Sequence, residues 1–112
     1  MAVGDRVPTE LSAPSALSAT ATAKFTNTSA SYRTQILEIW LCNTGATART
    51  VSLYKNGTAT SNMISNSIAL DPGASVVIST HLVLTGTQVL AAKQDTGTDV
   101  NIAAYGIVEQ IA

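Results

Sequence analysis

The sequence predicts an all-β protein: a two-sheet antiparallel β-sandwich, jelly-roll or immunoglobulin-like, with an extended N-terminal arm. Three observations carry this. Apolar and polar residues alternate with a period of two through most of the chain after Leu17, and no window of about 11 residues keeps a helical period. Threonine and β-branched residues dominate these stretches, as pleated, half-buried strands favour. Turn chemistry recurs at short, regular spacing, as in Asn43-Thr-Gly, Asn56-Gly, Asp71-Pro-Gly and Thr85-Gly, which marks many short strands rather than a few long elements.

Residues 1–16 have little periodicity and hold Pro8 and Pro14. They read as the arm, with Val3, Val7 and Leu11 as its contact points, and residues 17–112 read as one sandwich domain. In Thr20–Thr26, Ala21, Ala23 and Phe25 alternate with polar neighbours, and a polar turn follows at 27–31. The most apolar segment is Tyr32–Asn43. Leu37, Ile39 and Leu41 share one face, and Ile36, Trp40 and Cys42 share the other, broken only by Glu38. Apolar residues on both faces predict a central strand covered on both sides, since a free antiparallel sheet leaves its outer face wet.

Val51 and Leu53 next oppose Thr50, Ser52 and Tyr54, and Asn56-Gly57 supplies the positive φ angles of a turn. Ile64, Ile68 and Leu70 form one face of a further strand, closed by Asp71-Pro-Gly73. Val76, Ile78 and Leu82 face inward on the following one, leaving Val77, Ser79 and His81 outside. Residues 88–93 and 100–111 complete the set. The apolar phase of the last strand slips at Gly106, which predicts a bulge or bend.

Length and charge narrow the function classes. The 112 residues fit one domain, and one cysteine, Cys42, excludes an intramolecular disulfide. A net charge of −1 lacks the basic stripe of duplex-binding proteins, so no nucleic-acid partner is expected. No apolar run approaches the ~18 residues of a membrane span, so no membrane partner is expected either. The acid-bearing start Met1-Ala-Val-Gly-Asp-Arg is a poor export signal. Charged residues make up 12% of the chain, about half of the ~25% usual in soluble domains. A surface of short hydroxyls and amides suits burial by neighbouring polypeptides better than free solution.

No catalytic, cofactor-binding or metal-ligating set is expected. His81 is the sole histidine and reads as a solvent-facing strand residue without a nucleophile to activate. Cys42 reads as a small buried hydrophobe. Asp95 and Asp99 flank a glycine turn but lack the dense oxygen set of a calcium loop. Asn27-Thr-Ser and Asn56-Gly-Thr match the glycosylation pattern, which carries little weight without an export signal. Trp40 reads as a core or interface anchor, with a sugar-stacking platform as the alternative.

The stretch Ile39-Trp-Leu-Cys-Asn-Thr-Gly-Ala-Thr-Ala-Arg-Thr-Val-Ser-Leu-Tyr54 resembles small virion proteins of tailed bacteriophages. In these a strand ending Asn-Thr-Gly/Ser precedes Ala-Arg-Thr-Val-(Ser/Thr)-Leu-Tyr. The likeness continues at Ile68–Gly73, Val83–Gly86 and Gly106–Glu109, and departs from the pattern at Thr85-Gly-Thr-Gln88, where an acid often follows the glycine. It covers residues 33–111. It implies a non-enzymatic virion protein assembled in the bacterial host cytoplasm. The leading expectation is a capsid decoration (cement) protein, a homotrimer binding across major capsid subunits through Val3, Val7, Leu11 and Trp40. A tail, baseplate or head-fibre component and a carbohydrate-binding module are the alternatives.

Overall fold

A computed structural model describes residues 2–112. Eight strands follow in order: β1 Arg6–Ala16, β2 Thr22–Thr26, β3 Tyr32–Asn43, β4 Arg49–Lys55, β5 Met63–Leu70, β6 Ser75–Thr85, β7 Val89–Gln94 and β8 Val100–Gln110. Among the described residues, helix is confined to a 3-10 turn at Thr60–Asn62 and no helix is long and apolar enough to cross a membrane. The strands form sheet A, ordered β1-β8-β3-β6, and sheet B, ordered β2-β7-β4-β5, with antiparallel pairing throughout. Apart from the β4–β5 hairpin, every connection crosses from one sheet to the other. This interleaving of eight strands is a jelly roll; the immunoglobulin-like alternative, with its different strand order, is set aside.

The two sheets close over one core. Ile36, Ile39, Leu41, Leu84 and Ile102 of sheet A meet Val51, Leu53, Leu70 and Leu90 of sheet B. Val76, Ile78 and Leu82 pack against it from β6, as their alternation predicts.

Residues 6–16 are not an arm. They form β1, an edge strand of sheet A running from the pair Arg6↔Glu109 to Ala16↔Asn101, so the expected boundary at residue 16 falls inside the sandwich; Met1 lies outside the described residues. The apparent lack of periodicity comes from two register shifts, between Glu10 and Ser12 and between Ser12 and Ser15. Each bulge reverses the side-chain phase and hides the alternation.

A bulge also explains the two apolar faces of β3. Pairing with β8 shifts between Ile36 and Glu38, leaving Leu37 as the extra residue. Thr34 and Ile36 point to the core before it, and Ile39, Leu41 and Asn43 after it. The strand is central in its sheet but is not covered on both sides: Trp40 and Glu38 face solvent, and Cys42 is half-buried on that outer side rather than in the core.

In β8 the alternation itself does not slip. Val100, Ile102, Ala104 and Val108 all face the core, and Gly106 sits where the bulged β3 backbone presses closest. In β5 the pairing with β4 shifts twice, at Asn66–Ser67 and at Ile64, with Ser67 at φ 58°; the first of these turns the strand over. Ile68 and Leu70 therefore pack inward, whereas Ile64 is exposed.

Three buried amides tie the sandwich ends together. Asn27 donates from Nδ2 to the carbonyls of Ser29, Tyr32 and Gly86 and accepts from the Thr34 hydroxyl at 2.7 Å. With its amide so engaged and buried, Asn27 is a structural residue and not a glycan acceptor. Asn43, at the end of β3, donates to the carbonyls of Thr47, Leu70 and Asp71. Gln94 accepts from the Val100 amide at 2.9 Å and donates to Thr96 O and Asp99.

Asp99 also receives the Arg49 Nε–H at 2.9 Å, so the pair Asp95/Asp99 is built into an ion-paired turn. Hydrogen bonds from Arg49 and Gln94 hold the Asp99 carboxyl below its ordinary value of 3.8. At Asp95 burial pushes upward, but backbone N–H donors from Thr96 and Thr50 outweigh it and lower the carboxyl as well. A carboxyl depressed by folding stabilises the native state above its unfolded value, and that stability is lost as pH falls through the folded one. Thermal stability is therefore expected to hold down to about pH 4 and to drop below it. In Asp99→Asn the drop is shallower; an unchanged acid slope in that variant would remove Asp99 as its source.

Candidate functional site

The outer face of sheet A is assembled by cross-strand register. Trp40 lies between Val77 of β6 and Ala103 of β8. One row along, Ser79, Glu38, Tyr105 and Glu10 stand side by side across all four strands. Further along, Val83, Gln35, Ile107 and Pro8 form another row, and Thr85, Arg33, Glu109 and Arg6 form the last. In that last row Glu109 is salt-bridged to Arg33, with Arg6 Nε 3.8 Å away, so one carboxylate serves both cations of this end.

Trp40 is 46% exposed, Val77 43% and Val83 37%. A tryptophan with two valines on the wet side of a sheet presents an apolar area that a solitary molecule leaves hydrated. Besides a hollow of about 440 Å³ beside Arg6, Arg33 and Val83, two further shallow hollows indent the same face. One, of about 570 Å³, is bordered by Trp40, Tyr105, Glu38, Asn101 and Pro14, with the small Ala103 beside the indole. The other, of about 730 Å³, follows the line of bulges past Glu10, Leu37, His81 and Gly106.

This surface brings together only part of the expected contact set. Trp40 is exposed on it. Val7 is exposed but pairs with Val108 on the core-facing side of β1, and Val3 lies exposed before β1. Leu11 is 8% exposed and belongs to the core, so it packs within the sandwich instead of offering a contact. The residues missed are Val83, Tyr105 and Ala103. Val77 carried a readable signal, because alternation already put this apolar residue on the outside.

The remaining chemical groups have structural surroundings. His81 is exposed, and its Nδ1 lies 3.2 Å from the side-chain amide of Gln35, which cannot act as an acid–base partner. Among the described residues, no group of three or more His, Cys, Asp or Glu side chains is placed to hold a metal ion. The face is suited to being covered: an aromatic anchor, flanking aliphatic side chains, and polar groups at its margin.

An eight-stranded jelly roll whose outer sheet A face exposes a tryptophan and valines beside five charged side chains is the class that fold and surface define. No protein family and no curated protein sequence matches the chain. Among solved structures it is similar to a subunit of Bacillus endospore appendages, described as disulfide-linked pili, with TM-score 0.58 and 14% identity over 99% of this chain and 93% of that one. It is also similar to the tobacco streak virus coat protein, solved as a dimer, with TM-score 0.54 and 12% identity over 96% and 86% of the two chains. A chain of infectious bursal disease virus, Gx strain, aligns with TM-score 0.52 and 8% identity over 93% of this chain but only 31% of its own. At such identities these are likenesses of fold.

Proposed function

We propose that this chain is a non-enzymatic virion structural protein of a tailed bacteriophage, a capsid decoration protein that binds across major capsid subunits as a homo-oligomer. The observation that carries the reading is the exposed Trp40–Val77–Val83 surface on the outer face of sheet A. The fold shared with a viral coat protein and with a chain of a second virus supports it. The trimer implied by the sequence resemblance is one stoichiometry of this reading, and the mass in solution tests it.

The direct test is sedimentation of the purified protein with empty phage shells. Trp40 points away from the core, so Trp40→Ala should leave the melting temperature unchanged. Shell affinity should fall at least about 30-fold, the loss of one interface hot spot of about 2 kcal/mol. Wild-type protein that leaves shells untouched, or a variant that binds them as well, would end the proposal. A particle carrying only about six or twelve copies would move the protein to the tail, baseplate or head fibre. Carbohydrate binding is the second reading, favoured by the hollow that Trp40 shares with Tyr105, Glu38 and Asn101. Glycan-array hits that vanish in Trp40→Ala would select it.

A further inference from the structure

We infer that β6 is a self-pairing edge: two copies of this chain join antiparallel through Ser75–Thr85 about a two-fold axis at Thr80, making one eight-stranded sheet from two A sheets. This deepens the assembly reading above and rests on it. A jelly roll has four sheet edges, and natural proteins blunt edges against pairing with short strands, prolines, charges or bulges.

Three of the edges are blunted in these ways. The β1 edge holds Pro8 and Pro14 and shifts register twice. The β2 edge has five residues, one of them Lys24. The β5 edge is broken at Ser67, whose φ is 58°. The β6 edge is eleven residues long, with no proline, no glycine, and no Asp, Glu, Lys or Arg. Its exposure alternates from Ser75 to Thr85 without a slip, so the polarity pattern is kept on both sides of the one extra residue that β6 carries relative to β3 between Ser79 and Leu82.

The sequence of that strand supplies the occupant. Read outward from Thr80, Ser-Val-Val-Ile-Ser on one side meets His-Leu-Val-Leu-Thr on the other. In antiparallel pairing about Thr80, Ser79 faces His81, Ile78 faces Leu82, Val77 faces Val83, Val76 faces Leu84 and Ser75 faces Thr85. Each residue meets one of like polarity on the same side of the sheet. That self-complementarity is what an isologous contact requires. It would bring Val77 of one copy against Val83 of the other, extending the Trp40 surface across the seam and covering apolar area that each copy alone exposes.

The test uses Val77 and Val83, both exposed and outside the core. In one strand they are six residues, or about 20 Å, apart, and cannot interact within a chain. Wild-type protein should sediment at an even multiple of 11.5 kDa. Val77→Lys with Val83→Lys places lysines opposite each other twice and should weaken self-association at least about 100-fold, with circular dichroism unchanged. Val77→Lys with Val83→Glu should restore it, because the register sets Lys against Glu only between copies. A trimer indifferent to the double-lysine change overturns the β6 pairing and leaves the assembly reading standing. Failure of the Lys–Glu pair to restore association overturns the register. A wild-type monomer that also ignores empty shells overturns both readings.

Discussion

Gly106→Ala is expected to cost about 3 kcal/mol or more, the upper end of overpacking penalties, and to leave little of a domain stability of about 5–15 kcal/mol. The reason is steric rather than conformational. A Cβ at this position would sit 2.0 Å from the backbone oxygen of Gln35 and 3.0 Å from Cα of Ile36. Those are main-chain atoms of β3, held between β8 and β6, and they cannot swing aside as a side-chain tip can. Relief would require β3 to retreat, breaking its pairing with β8 beside the bulge.

Gly45 makes the useful comparison. There an added Cβ would meet the Asp99 carboxylate, 2.1 Å from Oδ2, which can rotate away at the expense of its contact with Arg49. Urea denaturation of both variants should therefore place Gly106→Ala well below Gly45→Ala at similar m-values. If Gly106→Ala falls within about 1 kcal/mol of wild type, inside the cost of a tolerated core swap, the close approach of β3 and β8 is wrong.

Asn43→Ala is the second large effect. The Asn43 side chain is fully buried, donates to Thr47 O at 2.8 Å, Leu70 O at 3.2 Å and Asp71 O at 3.3 Å, and accepts the Gly45 amide at 3.0 Å. Alanine removes one side-chain amide and strands several main-chain groups where water has little access. Each buried group left without a partner costs about 1–3 kcal/mol. A total loss of about 2–4 kcal/mol is expected, since solvent can recover part of it at the turn. Asn43→Asp discriminates the cause. It keeps the acceptor for Gly45 but turns a carboxylate toward three carbonyl oxygens, so near neutral pH it should be at least as unstable as alanine. Chemical denaturation at pH 7 reads both; an aspartate variant as stable as wild type would mean the amide hydrogens contribute nothing.

Asn43-Thr-Gly45, Arg49 and Asp71-Pro-Gly73 are among the residues that carried the resemblance to phage virion proteins, and each has a structural reason here. Asn43 links β3 to the end of β5, Arg49 holds Asp99, and Gly73 sits at φ 73° in a turn closed by the Ala74 amide on Asp71 O at 2.9 Å. The motif therefore describes how this sandwich is joined at its ends. Of the candidate surface, Trp40 and Val83 fall inside the stretches that carried the resemblance and Val77 and Tyr105 outside them; its outward direction was legible only where an apolar residue broke an otherwise regular alternation, as at Val77.

Strand content, turn positions and the inward faces of β4 and β6 were written in the chain itself. The two-residue period follows from the pleat of each strand and from turn residues within a few positions, both local causes. Tertiary structure alone decided that residues 6–16 complete a sheet, that Trp40 faces water, and that β6 is left at an edge. Those outcomes depend on which strand lies alongside and on where one strand carries an extra residue relative to its neighbour. A single such residue turns every later side chain to the opposite face, and only the paired neighbour records where it falls.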